Sequence, residues 1–144
     1  MKKISAGLVL TDGVKLLVCH VTGRNFYDIP KGLVDDGEEP AAACVREVKE
    51  ETGLLIKREI ITDLGVYEYT SDKNLHLFLL HLRDLPDPGS MNCSSYFINK
   101  AGRRLPEVDG YQYVAFGEKE LYLARSMAVV IAKVQTRFIV KINK

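Results

Sequence analysis

The chain has 144 residues, of which 47% are hydrophobic and 27% are charged, a balance typical of one folded domain. This excludes a disordered or collagen-like chain, because enough apolar residues are present to bury a core. The net charge of +1 does not favour nucleic acid or an anionic membrane as a partner. No secretory signal or apolar run of about 20 residues is found, so we expect no membrane partner. Three widely spaced cysteines, Cys19, Cys44 and Cys93, favour free thiols and a reducing, cytoplasmic location.

Six β-rich runs alternate with turn-rich stretches along the chain. The predicted strands are residues 4–10, 15–21, 55–70, 75–82, 96–99 and 111–116. The first two flank Asp12-Gly13, a dipeptide typical of a tight hairpin turn. Connecting loops are predicted at residues 31–37, 71–74, 84–93 and 100–110.

Two helices are predicted among these strands. Pro40 suits the first position of a helix and Gly53 the left-handed position that ends one, so a helix is predicted from Pro40 to Thr52. A short turn at 121–124 precedes a terminal helix, whose apolar face is Met127, Val130, Ile131, Val134 and Phe138. This order predicts an α/β fold with a mixed sheet flanked by helices.

Negative charge is concentrated in one short stretch. Residues 35–51 carry a net charge of −5 in a chain whose total is +1. The acids are Asp35, Asp36, Glu38, Glu39, Glu47, Glu50 and Glu51. Carboxylates bind hard divalent cations, and the remaining basic groups would attract a phosphate-rich anion. The distribution favours a metal-dependent enzyme that acts on polyphosphates.

Three of these acids share one face of the predicted helix. Glu47, Glu50 and Glu51 are at i, i+3 and i+4, so their carboxylates should project into solvent about one turn apart. Their mutual repulsion would be reversed by a cation, and oxygen-only ligands favour Mg²⁺, Mn²⁺ or Ca²⁺ over Zn²⁺. We therefore expect the three to converge on one ion. Taken alone, the triplet is more typical of a solvated acidic face.

The spacing around the triplet is more specific. Residues 32–54 read GLVDDGEEPAAACVREVKEETGL, which resembles the Nudix box at all nine of its defined positions. The pattern is a glycine, a spacer of five residues, a glutamate, a spacer of seven residues, and Arg-Glu. An apolar residue, any residue, Glu-Glu, any residue, a glycine and an apolar residue then follow. The chain is identified as a member of the Nudix hydrolase family. The resemblance implies an α/β/α sandwich, one domain over residues 1–144.

The resemblance also implies chemistry. Glu47, Glu50 and Glu51 would be catalytic and would hold Mg²⁺, which Mn²⁺ could replace, for hydrolysis of a diphosphate linkage in a nucleoside-diphosphate-X compound. Which of them accepts the proton of the attacking water stays open. The implied structural residues are Gly32, Glu38, Arg46 and Gly53, with Arg46 reaching back to Glu38 to fix the loop.

A second stretch adds one metal ligand. Residues 106–114, PEVDGYQYV, resemble the part of RNA 5′-pyrophosphohydrolases that supplies a further metal-binding glutamate, which is Glu107 here. A polar loop with a solvated acid is the alternative. Tyr111 and Tyr113 stand where that stretch often has tryptophan.

Two residues are predicted to bind substrate. Pro30-Lys31-Gly32 resembles the entry to the box in diadenosine polyphosphate hydrolases, where Lys31 would neutralise a phosphate. Tyr69 lies 15 residues beyond Leu54, a spacing associated with the same branch. Core packing is the alternative for Tyr69. Phe26 and Tyr27 could also stack on a base, although packing is the favoured interpretation for them.

The leading hypothesis is a Mg²⁺-dependent pyrophosphohydrolase for a dinucleoside polyphosphate or a 5′-polyphosphate end, including RNA. A pyrophosphatase that removes unwanted nucleoside triphosphates comes second, and an ADP-ribose hydrolase third. The hypothesis from another class is a nucleotide-binding regulator, which an intact box disfavours.

Overall fold

Nine strands and three helices are formed within residues 2–138, the part of the chain described in this computed structural model. The strands are β1 (Lys3–Thr11), β2 (Lys15–Val21), β3 (Tyr27–Asp28), β4 (Lys31–Leu33), β5 (Thr62–Thr70), β6 (Lys73–His81), β7 (Tyr96–Ile98), β8 (Arg104–Pro106) and β9 (Val108–Ala115). The helices are α1 (Pro40–Thr52), α2 (Lys119–Tyr122) and α3 (Arg125–Val134). Residues 1 and 139–144 of the predicted domain lie outside this range.

The main sheet is mixed, as predicted. β1 pairs in parallel with β6 and antiparallel with β4, while β2 pairs antiparallel with β3 and β9. β1 and β2 pair beside their turn, where Thr11 lies opposite Leu16 and Gly13 has a φ of 95°. Beyond the turn the two strands diverge, each joining different partners. The candidate site lies where they diverge.

Helices cover both faces of this sheet. The buried face of α1, including Cys44 and Val48, packs with Leu8 and Leu17 on one side. On the other side, α3 packs its apolar face against residues such as Val18. The predicted α/β/α sandwich is therefore confirmed. No helix within residues 2–138 is long and apolar enough to span a membrane.

α1 begins and ends at the predicted residues. Pro40 occupies its first turn, and Gly53, at a φ of 80°, ends it by donating its N–H to the Lys49 carbonyl oxygen at 2.8 Å. Two later N–H groups reach the carbonyls that the helix end leaves free: Asn92 donates to Thr52 at 3.1 Å and Ser94 to Glu50 at 2.7 Å.

Several predicted loops and strand ends are wrong. The loop at 31–37 begins as β4, and the loop at 100–110 contains β8 and the start of β9. β5 begins only at Thr62, because the chain before it forms a 3₁₀ turn at Arg58–Ile60, with Leu55 and Ile60 exposed. β6 starts inside the predicted turn 71–74, and the terminal helix stops before Phe138, which packs on Phe116. The missed strands β4 and β8 are only three residues long, and β4 depends on pairing with β1, which is distant in sequence.

Candidate active site

One arginine pins the loop before α1 to that helix. The Arg46 guanidinium donates two hydrogen bonds of 2.9 Å to the Glu38 carboxylate and another of 3.0 Å to the Leu33 carbonyl oxygen. The bonds from Arg46 lower the pKa of Glu38 to about 2. The predicted contact is present, and both Glu38 oxygens are engaged in holding the loop.

The three glutamates of α1 have different partners. Glu47 Oε2 lies 2.8 Å from Arg46 Nη1, and Glu50 Oε1 lies 3.5 Å from the same nitrogen. Glu51 Oε1 instead accepts the backbone N–H of Lys31 in β4 at 3.1 Å. The expected convergence on one point is not found within residues 2–138, because a guanidinium lies between two of the carboxylates and β4 holds the third.

The expectation that all three carboxylates face solvent is wrong, because their side chains differ in exposure. The Glu47 side chain is 13% exposed and Glu51 is half-buried, whereas Glu50 is 38% exposed. Burial raises the pKa of Glu51 to about 8. Burial also raises the pKa of Glu47, and the nearby Glu50 and Glu107 carboxylates add to that rise. Ionising this group of acids together is therefore costly unless a cation is bound.

Gly32 makes room for one of these carboxylates. A Cβ atom at position 32 would overlap the carboxyl group of Glu47, and the Gly32 backbone has no positive φ. Space, rather than backbone conformation, therefore requires glycine here.

Glu107 lies between β8 and β9 and is fixed on several sides. Its carboxylate accepts a hydrogen bond from Ser95 Oγ, and its N–H donates to the Ser95 carbonyl oxygen at 2.9 Å. Its own carbonyl oxygen accepts the N–H of Thr22 at 3.1 Å. Glu107 is thus held in place by hydrogen bonds while its side chain stays exposed, so the alternative of a solvated acid stands beside its predicted role as a metal ligand.

A cavity of about 570 Å³ brings the acids together. Glu47, Glu51 and Glu107 line it, while Glu50 lines a neighbouring depression. The apolar part of the lining is Val21, Ile29, Leu33, Phe97 and Val108. Its volume falls in the range of sites that enclose small molecules.

Lys31, predicted to neutralise a substrate phosphate, lies in β4 and forms an ion pair within the protein. Its Nζ lies 3.2 Å from Asp28 Oδ2, and both side chains are less than 20% exposed. Burial lowers the pKa of Lys31, but the Asp28 carboxylate outweighs that effect and raises it overall. Lys31 lines the cavity with its charge already paired.

The predicted aromatic surfaces do not line the cavity. Tyr69 packs against the core beside α3, with the Lys31 ammonium 5.5 Å from its ring centroid. Tyr27 packs edge-on against His20 and Tyr122. For Tyr69 and Tyr27, the core-packing alternative is the observed one. Phe26 is likewise absent from the lining.

Four residues that shape the cavity were missed: Thr22, Arg24, Ser95 and Phe97. Phe97 comes from the β7–β8 hairpin, whose neighbouring side chains Tyr96 and Ile98 are 45% and 64% exposed. The strand was predicted at 96–99, but three consecutive apolar residues gave no signal for which side chain would face the cavity.

Comparison with known proteins decides the family. The NUDIX domain profile matches residues 1–126 of this chain. The chain belongs to the Nudix family. The prediction of a hydrolase acting on pyrophosphate bonds is thereby confirmed at the level of the family, and the roles of individual Nudix-box glutamates stay predictions.

Proteins with similar sequences carry different names. An uncharacterized 17.7 kDa protein in the e-segB intergenic region of Enterobacteria phage T4 is 36% identical over 128 residues, covering 79% of this chain and 83% of the phage protein. An ADP-ribose pyrophosphatase of Mycobacterium tuberculosis is 32% identical over 95 residues, covering 60% of this chain and 46% of that enzyme. The chain therefore spans about half of that enzyme's length.

A solved structure has the same fold at low sequence identity. The binary complex of an Ap4A hydrolase from C. elegans superimposes with a TM-score of 0.67 at 20% identity, covering 92% of this chain and 96% of that one. This similarity supports the fold and leaves the substrate to be argued from the cavity.

Proposed function

We propose that this Nudix protein is a Mg²⁺-dependent pyrophosphohydrolase. It cleaves a diphosphate linkage in a nucleoside-diphosphate-X substrate, namely a dinucleoside polyphosphate or a 5′-polyphosphate end. The observation that carries the proposal is the acidic wall of the cavity. Two carboxylates of α1, Glu47 and Glu51, share that wall with Glu107 from a distant segment.

The donor set fits a hard divalent cation. The four proposed ligands, Glu47, Glu50, Glu51 and Glu107, offer only carboxylate oxygens, which suit Mg²⁺ or Mn²⁺. Burial and the neighbouring Glu50 and Glu107 carboxylates raise the pKa of Glu47, and a bound cation would offset both effects. When bound, the cation would neutralise phosphoryl oxygens and lower the pKa of a water molecule.

The chain's own groups then position the reactants. Arg24 lines the cavity and forms no ion pair within residues 2–138, so its guanidinium is available to a distal phosphate. Lys31, which the sequence suggested for this task, is paired with Asp28 and instead orients Glu51 through its backbone N–H. In the reaction a water oxygen bonds to phosphorus, the bridging oxygen leaves with the bond pair, and a carboxylate accepts the water proton.

A substrate panel tests this proposal. Diadenosine tetraphosphate, 5′-triphosphate RNA, ADP-ribose and a nucleoside triphosphate are supplied with and without millimolar Mg²⁺. Added pyrophosphatase, for the two triphosphates, or added phosphatase, for the other two substrates, converts the products to inorganic phosphate, which is measured. The Glu51→Gln variant, purified identically, controls for contaminating hydrolases. We expect release from the first two substrates, dependence on Mg²⁺, and loss of activity with a chelator.

Other outcomes separate the alternatives. ADP-ribose or the nucleoside triphosphate as best substrate would reject the polyphosphate assignment and retain a Nudix hydrolase. No release from any substrate, with nucleotide binding intact, would indicate a binding regulator. Full activity after exhaustive chelation would reject the carboxylate-held metal.

A further inference from the structure

The chain segment that precedes β7 is fixed to the end of α1. The Asn92 N–H donates to the Thr52 carbonyl oxygen at 3.1 Å, and the Ser94 N–H donates to the Glu50 carbonyl oxygen at 2.7 Å. Both bonds satisfy carbonyl groups that have no partner inside the helix. The position of Ser95, the next residue, is therefore set by the helix that carries three of the proposed metal ligands.

Ser95 binds the fourth proposed ligand, Glu107, in two ways. The Ser95 carbonyl oxygen accepts the Glu107 N–H at 2.9 Å, and Ser95 Oγ donates to Glu107 Oε1. Within residues 2–138 the Glu107 carboxylate has no other hydrogen bond and no ion pair. Because Glu107 is exposed, its side chain would otherwise be free to change rotamer in solvent. The backbone bond fixes the main chain of Glu107, and the hydroxyl restricts its carboxylate.

This carboxylate lies close to the acids of α1. Burial raises the pKa of Glu47, and the Glu107 carboxylate adds to that rise, so the two acids are within electrostatic reach of each other. Both line the cavity, whereas Ser95 lines the neighbouring depression together with Glu50. The bond from Ser95 Oγ to Glu107 therefore joins the lining of the depression to the lining of the cavity.

A hydroxyl is well suited to hold a carboxylate beside other carboxylates. Like charges repel, so an unrestrained Glu107 would turn away from Glu47 in the absence of a cation. A hydroxyl carries no charge, donates one hydrogen bond to one carboxylate oxygen, and leaves the second oxygen for a metal ion. Hydrogen bonds of this kind orient the ligands of metal sites and tune metal affinity.

We propose that Ser95 is a positioning residue for the metal site. Its hydroxyl holds the Glu107 carboxylate in the orientation in which Glu107 shares one divalent cation with the glutamates of α1. The proposal rests on the proposed function, because it takes Glu107 as a metal ligand. Ser95 acts through Glu107 alone and contacts neither the substrate nor the cation.

Binding of Mn²⁺ alone tests this role without any substrate. Electron paramagnetic resonance reports free Mn²⁺ during titration of each protein. Ser95→Ala should weaken Mn²⁺ binding about tenfold, the loss typical of removing a group that orients a ligand. Ser95→Thr keeps the hydroxyl and should bind Mn²⁺ nearly as tightly as the wild type. Glu107→Gln should weaken binding at least as much as Ser95→Ala, and adding Ser95→Ala to Glu107→Gln should cause no further loss.

A neighbouring serine provides the matched control. Ser94→Ala removes a hydroxyl that lies 3.4 Å from the Glu50 carbonyl oxygen but keeps the backbone N–H, so Mn²⁺ affinity should be unchanged. Ser95→Ala also keeps its backbone hydrogen bonds, and its melting temperature without metal should stay close to that of the wild type. A merely structural role would lower that temperature and would persist in the Glu107→Gln background.

Three results would overturn the proposal: Mn²⁺ binding in Ser95→Ala that is unchanged or tighter, an equal loss from Ser95→Ala in the Glu107→Gln background, or unchanged Mn²⁺ affinity in Glu107→Gln. The substrate panel separates these results from failure of the proposed function. The expected changes in Mn²⁺ affinity, in a protein that hydrolyses nothing in the panel, would reject the hydrolase and keep the role of Ser95. Mg²⁺-dependent hydrolysis with unchanged Mn²⁺ binding in Ser95→Ala would reject that role alone.

Discussion

The side-chain space of Gly32 is filled by the carboxyl group of Glu47. A methyl group at position 32 would overlap all three of that carboxyl's non-hydrogen atoms. The Nudix box thus contains a direct steric dependence between two residues 15 positions apart, one in β4 and one in α1.

Replacing this glycine should separate activity from stability. In Gly32→Ala the Glu47 carboxyl must move, and a displacement of about 1 Å at a reacting centre can cost roughly a hundredfold in rate. Stability should change little, because the displaced group is the end of a flexible side chain. Turnover and thermal melting measure the two effects. Gly117→Ala, where a new Cβ meets nothing within 4 Å, is the matched control. Full turnover in Gly32→Ala would show that Glu47 is not required in this position.

Arg46 and Glu38 should behave as one unit. Arg46→Gln and Glu38→Gln each break the same pair of hydrogen bonds, so the double variant should lose no more than the worse single variant. We expect a coupling of about 1 kcal/mol, measured by urea unfolding of all four proteins. Strict additivity would contradict a direct contact.

The same pair predicts a pH dependence of stability. Arg46 lowers the pKa of Glu38 from 4.5 to about 2 in the folded protein. Its stabilising contribution is therefore complete above pH 4.5 and is lost as the pH falls through about 2. The difference in unfolding free energy between the wild type and Glu38→Gln should shrink over this interval. If the unfolding free energies of the wild type and Glu38→Gln kept a constant difference from pH 5 to pH 2, the lowered pKa of Glu38 would be contradicted.

The buried pair of Lys31 and Asp28 predicts a loss of stability that a substrate-binding lysine would not show. Removing one member leaves the other charge buried, which typically costs 3–5 kcal/mol. Lys31→Met should therefore unfold at lower urea concentration, and adding Asp28→Asn should recover part of the loss. A stable Lys31→Met protein with a raised Michaelis constant for tetraphosphates alone would favour the original interpretation.

Glu51 should oppose stability until a cation binds. Glu51→Gln removes a carboxyl whose ionisation is penalised by burial, so the metal-free variant should melt at the same temperature as the wild type or higher. Millimolar Mg²⁺ should raise the melting temperature of the wild type and not of the variant. The exposed Glu59→Gln serves as control. An equal Mg²⁺ response in all three proteins would exclude Glu51 as a ligand.

The parts that were predictable from sequence are those whose signals are local. The bounds of α1 follow from Pro40 and Gly53, and the Arg46–Glu38 contact follows from box spacing. The orientation of Glu51 was not predictable, because it depends on a backbone N–H in β4, a strand that exists only through pairing with β1.

The positions of the aromatic side chains near the cavity were harder to predict from the sequence. Tyr69 matched a family spacing, yet its ring packs in the core. Phe97 matched no motif, and its place in the cavity depends on where the β7–β8 hairpin packs. Tertiary packing decided both cases.

Residues 92–95 lie against the C-terminal end of α1 and lead into the hairpin that carries Phe97. The N–H groups of Asn92 and Ser94 bind carbonyls of α1, and the chain then continues into β7. The helix that carries three of the proposed metal ligands and the hairpin that leads to the fourth, Glu107, are therefore joined at one place. A change within residues 96–104 would alter the cavity wall at Phe97 without removing the groups that satisfy the carbonyls at the end of α1.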